Sequence, residues 1–124
     1  MSMLVLKEIG EVIAERSLYL EGQPATKIRV LLGRPQERPA ASDEGLSLCP
    51  YQILGIGDEK VRFAGGTDSV QALQLAMEMI GSELYFKINR RHNHKLRWEG
   101  GKAGDLGFPV PHGLEQEIGD GSPG

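Results

Sequence analysis

The first third of the chain alternates apolar and polar positions, which is the pattern of β-strands with one buried face. Residues 11–20 form the first run, in which Arg16 is the one charged residue on the apolar face. A turn at residues 21–24 precedes a second run at residues 26–32. The two runs predict an antiparallel hairpin whose outer face is solvated. Its predicted inward residues are Val12, Ala14, Leu18, Leu20, Ile28, Val30 and Leu32.

The next part of the chain is rich in proline. Residues 33–50 include Pro35, Pro39 and Pro50, so they predict a long surface loop. Two further strands are predicted at residues 51–56 and 60–64, with turn residues between them. A short fifth strand is predicted at residues 95–99.

After Gly65 and Gly66 the apolar period changes from two to about 3.6, which predicts a helix from Ser69 to about Ile88. Asp68 is the expected N-cap, and Gln71 is placed to complete a capping box. The main apolar stripe is Val70, Leu73, Met77, Ile80 and Leu84. A second apolar flank contains Ala72, Leu75, Ala76, Met79 and Phe86.

This second flank is more apolar surface than one sheet needs to cover. Another cover is expected from the first ten residues, the C-terminal segment or a second subunit. We therefore predict Leu75, Met79 and Phe86 as interface residues.

Together these elements predict an α+β fold, an antiparallel sheet of four to five strands with one long helix packed on one face. A chain of 124 residues with 40% hydrophobic and 25% charged residues has room for one domain. We place that domain at residues 1–111 and expect a flexible tail at residues 112–124. Eight of the 17 glycines follow Glu99. Leu106, Phe108 and Val110, around Pro109 and Pro111, form a segment whose docking in extended form the sequence leaves open.

Five stretches carry a resemblance to known sequences: IAERSLYLEG, IRVLLGRPQE, CPYQILGIGDEKV, DSVQALQLAMEMIGSELY and GDLGFPVP. In this order they resemble a small bacterial family known as a domain of unknown function. The similarity spans roughly residues 12–111. It implies a bacterial origin and one compact domain, and it carries over no activity, ligand or functional residue.

The charge of the chain is unevenly spread. A formal net charge of -3 argues against a dedicated nucleic-acid-binding protein. Residues 87–102 nevertheless hold six cations against one acid, a local charge of +5. This segment gives an alternative function, anion or nucleic-acid binding, against the plainer interpretation of solvated cations at a helix end. The binding residues would be Arg90, Arg91, Lys95, Arg97 and Trp98.

Other candidate chemistry is weak. His92 and His94, with Cys49 and His112, lack the spacing of a metal site and lie among cations. The loop before Asp68 lacks the lysine of a phosphate-binding loop, and Asp68 itself repels phosphate. Cys49 is interpreted as a buried, inert thiol at a strand start rather than a nucleophile. We predict no catalytic residue, metal or cofactor.

The leading hypothesis is a small non-enzymatic protein-interaction or regulatory module that self-associates as a homodimer. The single cysteine predicts a cytoplasmic location, and the absence of an apolar run of about 18 residues predicts no membrane span. The first residues lack the features of a signal peptide, and the bacterial origin is what the family resemblance implies. The alternatives are anion or nucleic-acid binding through residues 87–102 and, ranked last, an enzyme of unidentified type.

Overall fold

A computed structural model describes residues 8–38, 46–102 and 104–110. They form one antiparallel sheet and one long helix, which confirms the predicted α+β fold with six strands instead of four to five. The strands are β1 (Val12–Leu20), β2 (Gln23–Gly33), β3 (Gln36–Arg38), β4 (Leu46–Leu54), β5 (Arg62–Gly66) and β6 (Leu96–Arg97). Their order is β3-β4-β2-β1-β6, and β5 pairs with β4.

The predicted loop at residues 33–50 is wrong in its described parts, because β3 and the first half of β4 lie inside it. Residues 39–45 lie outside the described residues. Pro50, predicted as a loop residue, lies within β4 opposite Phe63 of β5. On the edge of β4 that faces away from β5, Pro50 separates the residues that pair with β3 from those that pair with β2. A proline is tolerated there because the hydrogen-bond ladder is already interrupted.

The helix runs continuously through α1 (Ser69–Glu83), a π-helical segment (Leu84–Ile88) and α2 (Asn89–Arg91). It therefore extends past the predicted end at Ile88. The predicted N-cap is confirmed, since the Asp68 carboxylate accepts a hydrogen bond from the Gln71 amide at 2.8 Å. The Gln71 side chain accepts in turn from the backbone amide of Thr67 at 2.6 Å. Reciprocal bonds of this kind satisfy amides that have no partner within the helix.

The helix faces the sheet through part of the predicted main stripe and through two small residues of the second flank. Ile80 and Leu84 of the stripe are fully buried, as are Ala72 and Ala76, whereas Val70 of the stripe is 61% exposed. Gly66 explains the rotation, because a Cβ there would lie 2.6 Å from the amide nitrogen of Ala72. The backbones of β5 and α1 thus approach closely only through small residues. Leu73 and Met77 consequently lie to one side of the contact and are half-buried.

The outer face of the sheet is not solvated along its whole length, as the hairpin pattern predicted. Leu31 and Leu48 are buried on this face, together with Pro50. Ile9 packs against it, since a Cβ on Gly33 would lie 2.5 Å from the Ile9 carbonyl oxygen and 2.6 Å from Pro50. Leu31 was thus a buried position that simple alternation assigned to solvent.

Residues 104–110, the C-terminal segment, dock against the helix and β1. Leu106 is fully buried and Phe108 is 9% exposed, so the segment docks through both side chains. The Leu106 amide donates a hydrogen bond to the Tyr85 hydroxyl at 2.9 Å. A Cβ on Gly81 would meet the carbonyl oxygen of Pro109, so glycine is needed where this segment crosses α1. The predicted tail at residues 112–124 lies outside the described residues.

Candidate functional site

Three of the six cations of the basic segment contact side chains of other residues. The Lys87 ammonium lies 3.5 Å from the Glu83 carboxylate one turn earlier. Arg90 lies over the Phe86 ring at 5.2 Å, and the Arg97 guanidinium lies 3.3 Å from the Glu21 carboxylate. Lys95 and Arg91 are exposed. The structure therefore does not gather the predicted binding residues into one convergent site, and anion or nucleic-acid binding by these cations stays a prediction.

Trp98 is one of the predicted binding residues, and its indole contacts other residues of the chain. The Arg16 guanidinium lies 3.8 Å from the centre of its ring. A Cβ on Gly100 or Gly107 would lie 2.4–2.5 Å from ring atoms, so backbone packs directly against the indole. Trp98 thus packs against Arg16 and the glycine backbone, and binding of an anion or nucleic acid through this residue stays a prediction.

Arg16 is a functional candidate that was not among the predicted site residues. It lies on the helix-facing side of β1, where alternation places apolar residues, and its guanidinium also lies 5.0 Å from the Phe108 ring. Its Nη1 donates hydrogen bonds to the carbonyl oxygens of Gly107 at 2.7 Å and Leu106 at 3.5 Å. Among the described residues, no carboxylate lies within ion-pair distance of this guanidinium. The one available signal was a single charge on an otherwise apolar strand face.

Beside Arg16 lies an open groove between α1 and the sheet, which we call the apolar groove. Its volume is about 280 Å³. The groove exists because Ala72 and Ala76 make the close contact with the sheet, and the larger side chains beside them only partly cover β1 and β2. Glu15 lies at its rim, where Arg29 binds the carboxylate at 2.6 and 3.0 Å. The apolar lining consists of Ile13, Ala14, Val30, Leu32, Leu73, Met77 and Phe108.

On the opposite side of α1, which we call the β5 flank, two of the three predicted interface residues are exposed. Leu75 is 36% and Met79 41% exposed, while Phe86 is half-buried. A depression of about 440 Å³ borders this flank. Beside it, β5 pairs with β4 alone among the described strands, which leaves its outer edge open. The depression is lined by Tyr51, Arg62, Met79, Ser82, Glu83, Phe86 and Lys87.

The remaining chemical candidates are separated from one another. Cys49 is fully buried, as predicted, but in the middle of β4 rather than at a strand start. Its sulfur faces the carbonyl oxygen of Gly33 at 3.6 Å, and burial raises the pKa of this thiol to about 11. Such a thiol is protonated at neutral pH and a poor nucleophile.

The described residues contain no cluster of three or more histidine, cysteine or acidic side chains suited to a metal ion. His94 is exposed and His92 half-buried, and His112 lies outside the described residues. The Asp68 carboxylate caps the helix start, so the loop before it offers a negative charge where a phosphate would bind.

Comparison with protein families finds that residues 14–110 match the family model of a domain of unknown function, DUF6968. This match covers nearly the whole stretch in which the sequence resemblance was noted. No curated protein and no solved structure matches the chain. No helix in the described part of the chain has the length and apolar character needed to cross a membrane.

Proposed function

We propose that this chain, which belongs to the DUF6968 family of domains of unknown function, is a non-enzymatic interaction module that pairs with a second copy of itself through the β5 flank. The observation that carries the proposal is the exposure of Leu75 and Met79 beside an open sheet edge. Exposed apolar side chains in a contiguous stripe are typical of interaction surfaces.

The stripe on α1 suits a copy of itself. Leu75, Met79, Ser82 and Phe86 are spaced by four, three and four residues, a spacing that reads the same in both directions. In an antiparallel pair of helices related by a two-fold axis, Leu75 would therefore meet the partner's Phe86, and Met79 the partner's Ser82. A closed two-fold dimer requires such a self-complementary surface.

The neighbouring edge of β5 supports the same arrangement. Exposed edge strands normally carry charges, prolines or bulges that prevent pairing with another chain. From Phe63 to Gly66 the edge has none of these, and the charged Arg62 at its start is paired with Asp58 at 2.8 Å. Antiparallel pairing of two β5 edges would join the sheets and bring the two α1 helices side by side on the same face.

We place this module in a bacterial cytoplasm and give it a regulatory role, with self-association as the means of control. A lone buried thiol and no disulfide suit a reducing compartment. The family resemblance supports the bacterial origin. A dimer whose affinity lies near its cellular concentration changes state with protein level or partner binding.

Sedimentation velocity across a wide concentration range tests the pairing. We expect the purified chain to shift toward twice its 13.5 kDa mass as concentration rises. Met79→Glu places a charge in the centre of the stripe and is expected to return the chain to a monomer. Val70→Glu is the matched control, because Val70 is an exposed apolar residue of the same helix on the other side of its sheet contact.

The control is expected to leave the dimer intact. A chain that remains a monomer up to its solubility limit overturns the proposal. A dimer that Met79→Glu leaves unchanged also overturns it, because the interface then lies elsewhere.

A further inference from the structure

We propose that the apolar groove is a binding site for a small amphipathic carboxylate, whose charged end pairs with Arg16 and whose apolar body lies between α1 and the sheet. This site is on the other side of α1 from the β5 flank, so it is independent of self-association. It would give the module a small-molecule ligand.

The Arg16 guanidinium is preorganised to bind an anion. The guanidinium is held in place by Trp98 on its face and by the Gly107 carbonyl, which accepts from Nη1. An arginine fork offers two parallel donors to a carboxylate, and the Nε and Nη2 side of this one has no acceptor among the described residues. The side chain is therefore positioned before a ligand arrives, which reduces the entropy lost on binding.

The charge balance of the groove favours an anion. Two charged side chains line it, Arg16 and Glu15. The Glu15 carboxylate is neutralised by its two hydrogen bonds to Arg29, and these bonds hold the pKa of Glu15 below its ordinary value. Arg16 contacts carbonyl oxygens and aromatic rings, and no carboxylate of the described residues compensates its positive charge. A ligand with one negative group completes this balance.

The size and lining of the groove select the rest of the ligand. Its volume of about 280 Å³ lies near the lower limit of the ~300–1,000 Å³ typical of ligand sites. This favours a medium-chain fatty acid or a single-ring carboxylate over a long-chain lipid. Leu73 and Met77 form the helix side of the groove, and methionine adapts its shape to apolar ligands.

Trp98 provides a built-in reporter, since it is the only tryptophan and touches Arg16. Titration with sodium octanoate is expected to change its fluorescence in a saturable way. The amides of Ala14 and Val30 are expected to shift in heteronuclear NMR spectra over the same range. Octanol, which has the same chain without the charge, is expected to bind at least about tenfold more weakly because it lacks a charge-assisted pair.

A substitution of Arg16 itself is expected to release residues 104–110 as well, because Arg16 binds two of their carbonyl oxygens. The test therefore uses two variants at other positions. Ala14→Phe fills the groove from its exposed floor and is expected to abolish octanoate binding. Ser17→Phe adds the same ring at an exposed position on the opposite face of β1 and is expected to retain it.

The proposal is overturned if octanoate gives no saturable change at millimolar concentration. It is also overturned if octanol binds equally well, or if Ala14→Phe binds as well as Ser17→Phe. The Met79→Glu variant is expected to bind octanoate normally, so failure of self-association leaves this result interpretable.

Discussion

On the β1 side of α1, the C-terminal segment buries Leu106 completely and Phe108 almost completely, whereas on the β5 flank Leu75 and Met79 remain about 40% exposed. The two sides differ little in apolar content. They differ in what the chain supplies to cover them, because residues 104–110 all lie on one side. The side that residues 104–110 cover serves folding and forms a groove. The side on which the described residues leave Leu75 and Met79 exposed is the one at which we propose that a partner binds.

The covered side also contains the polar side chains that bind the C-terminal segment. A segment without regular structure has backbone groups that must find partners when buried. Tyr85 supplies an acceptor to Leu106, Asp105 supplies one to Gly107, and Arg16 supplies donors to two carbonyl oxygens. The backbone of α1 on the β5 flank is already hydrogen-bonded within the helix, so it needs no such side-chain partners.

The largest contrast is expected from one substitution made on both sides. Leu106→Ala removes a fully buried side chain and is expected to lower the free energy of unfolding by about 2–5 kcal/mol. Leu75→Ala, on the β5 flank, is expected to cost under about 1 kcal/mol at concentrations where the chain is monomeric. Urea unfolding followed by circular dichroism measures both. Equal losses would contradict the difference between the two sides.

A smaller effect is expected from removing one hydroxyl. Tyr85→Phe leaves the buried amide of Leu106 without its acceptor and is expected to cost about 1–3 kcal/mol. Tyr19→Phe makes the same change at a side chain that is 41% exposed and is expected to be nearly neutral. Thermal and urea unfolding of the two variants provide the comparison. A neutral Tyr85→Phe would mean that this bond does not hold the C-terminal segment in place.

The smallest effect concerns the turn that leads into β5. The Asp58 carboxylate accepts from Arg62 at 2.8 and 3.1 Å and from the Lys60 amide at 2.9 Å. The Arg62 bonds, followed by the Lys60 bond, hold the pKa of Asp58 well below its usual range. The folded state therefore favours the charged form of the Asp58 carboxylate. Its contribution is complete above the ordinary aspartate pKa of about 4 and is lost as pH falls through the lower folded value.

Unfolding midpoints in urea from neutral to acidic pH test this assignment. The chain with Asp58→Asn is expected to lose less stability on acidification than the unchanged chain, and the difference is small because the pair is exposed. Glu99→Gln, which removes another exposed carboxylate, is the control. If the two variants show the same pH slope, the Asp58 pair does not stabilise the turn.

The parts of the fold that follow local periodicity were predictable from the sequence. Ile28, Val30 and Leu32 alternate as a half-buried strand must, and Asp68 has the residue type and spacing of a helix cap. The helix orientation was less accessible, since the close contact is made by Ala72 and Ala76. Their small side chains contribute little to an apolar stripe, but they allow the backbones of helix and sheet to approach.

The apolar groove could not be located from sequence, because its parts meet only in the folded chain. Arg16 contacts Gly107 across 91 positions, and no local pattern marks a contact at that separation. The basic segment is the converse case. Its cations are neighbours along the chain, but Arg97 and Lys87 point to different carboxylates. Charge density along a sequence does not establish a charged surface.

The long separation between Arg16 and Gly107 also describes the topology of the domain. Their hydrogen bond closes nearly the whole domain into a non-covalent ring, in which the first strand lies beside the last described segment. The entropic cost of loop closure rises by only about 0.6 kcal/mol for each doubling of loop length. The free-energy cost of closing so long a ring is therefore only a few such increments above that of a short one. β1 and residues 104–110 are thus adjacent, so the order of the elements between them is open to circular permutation. A chain in which these two segments are joined and the exposed turn around Gly57 is opened is expected to retain both sides of the helix.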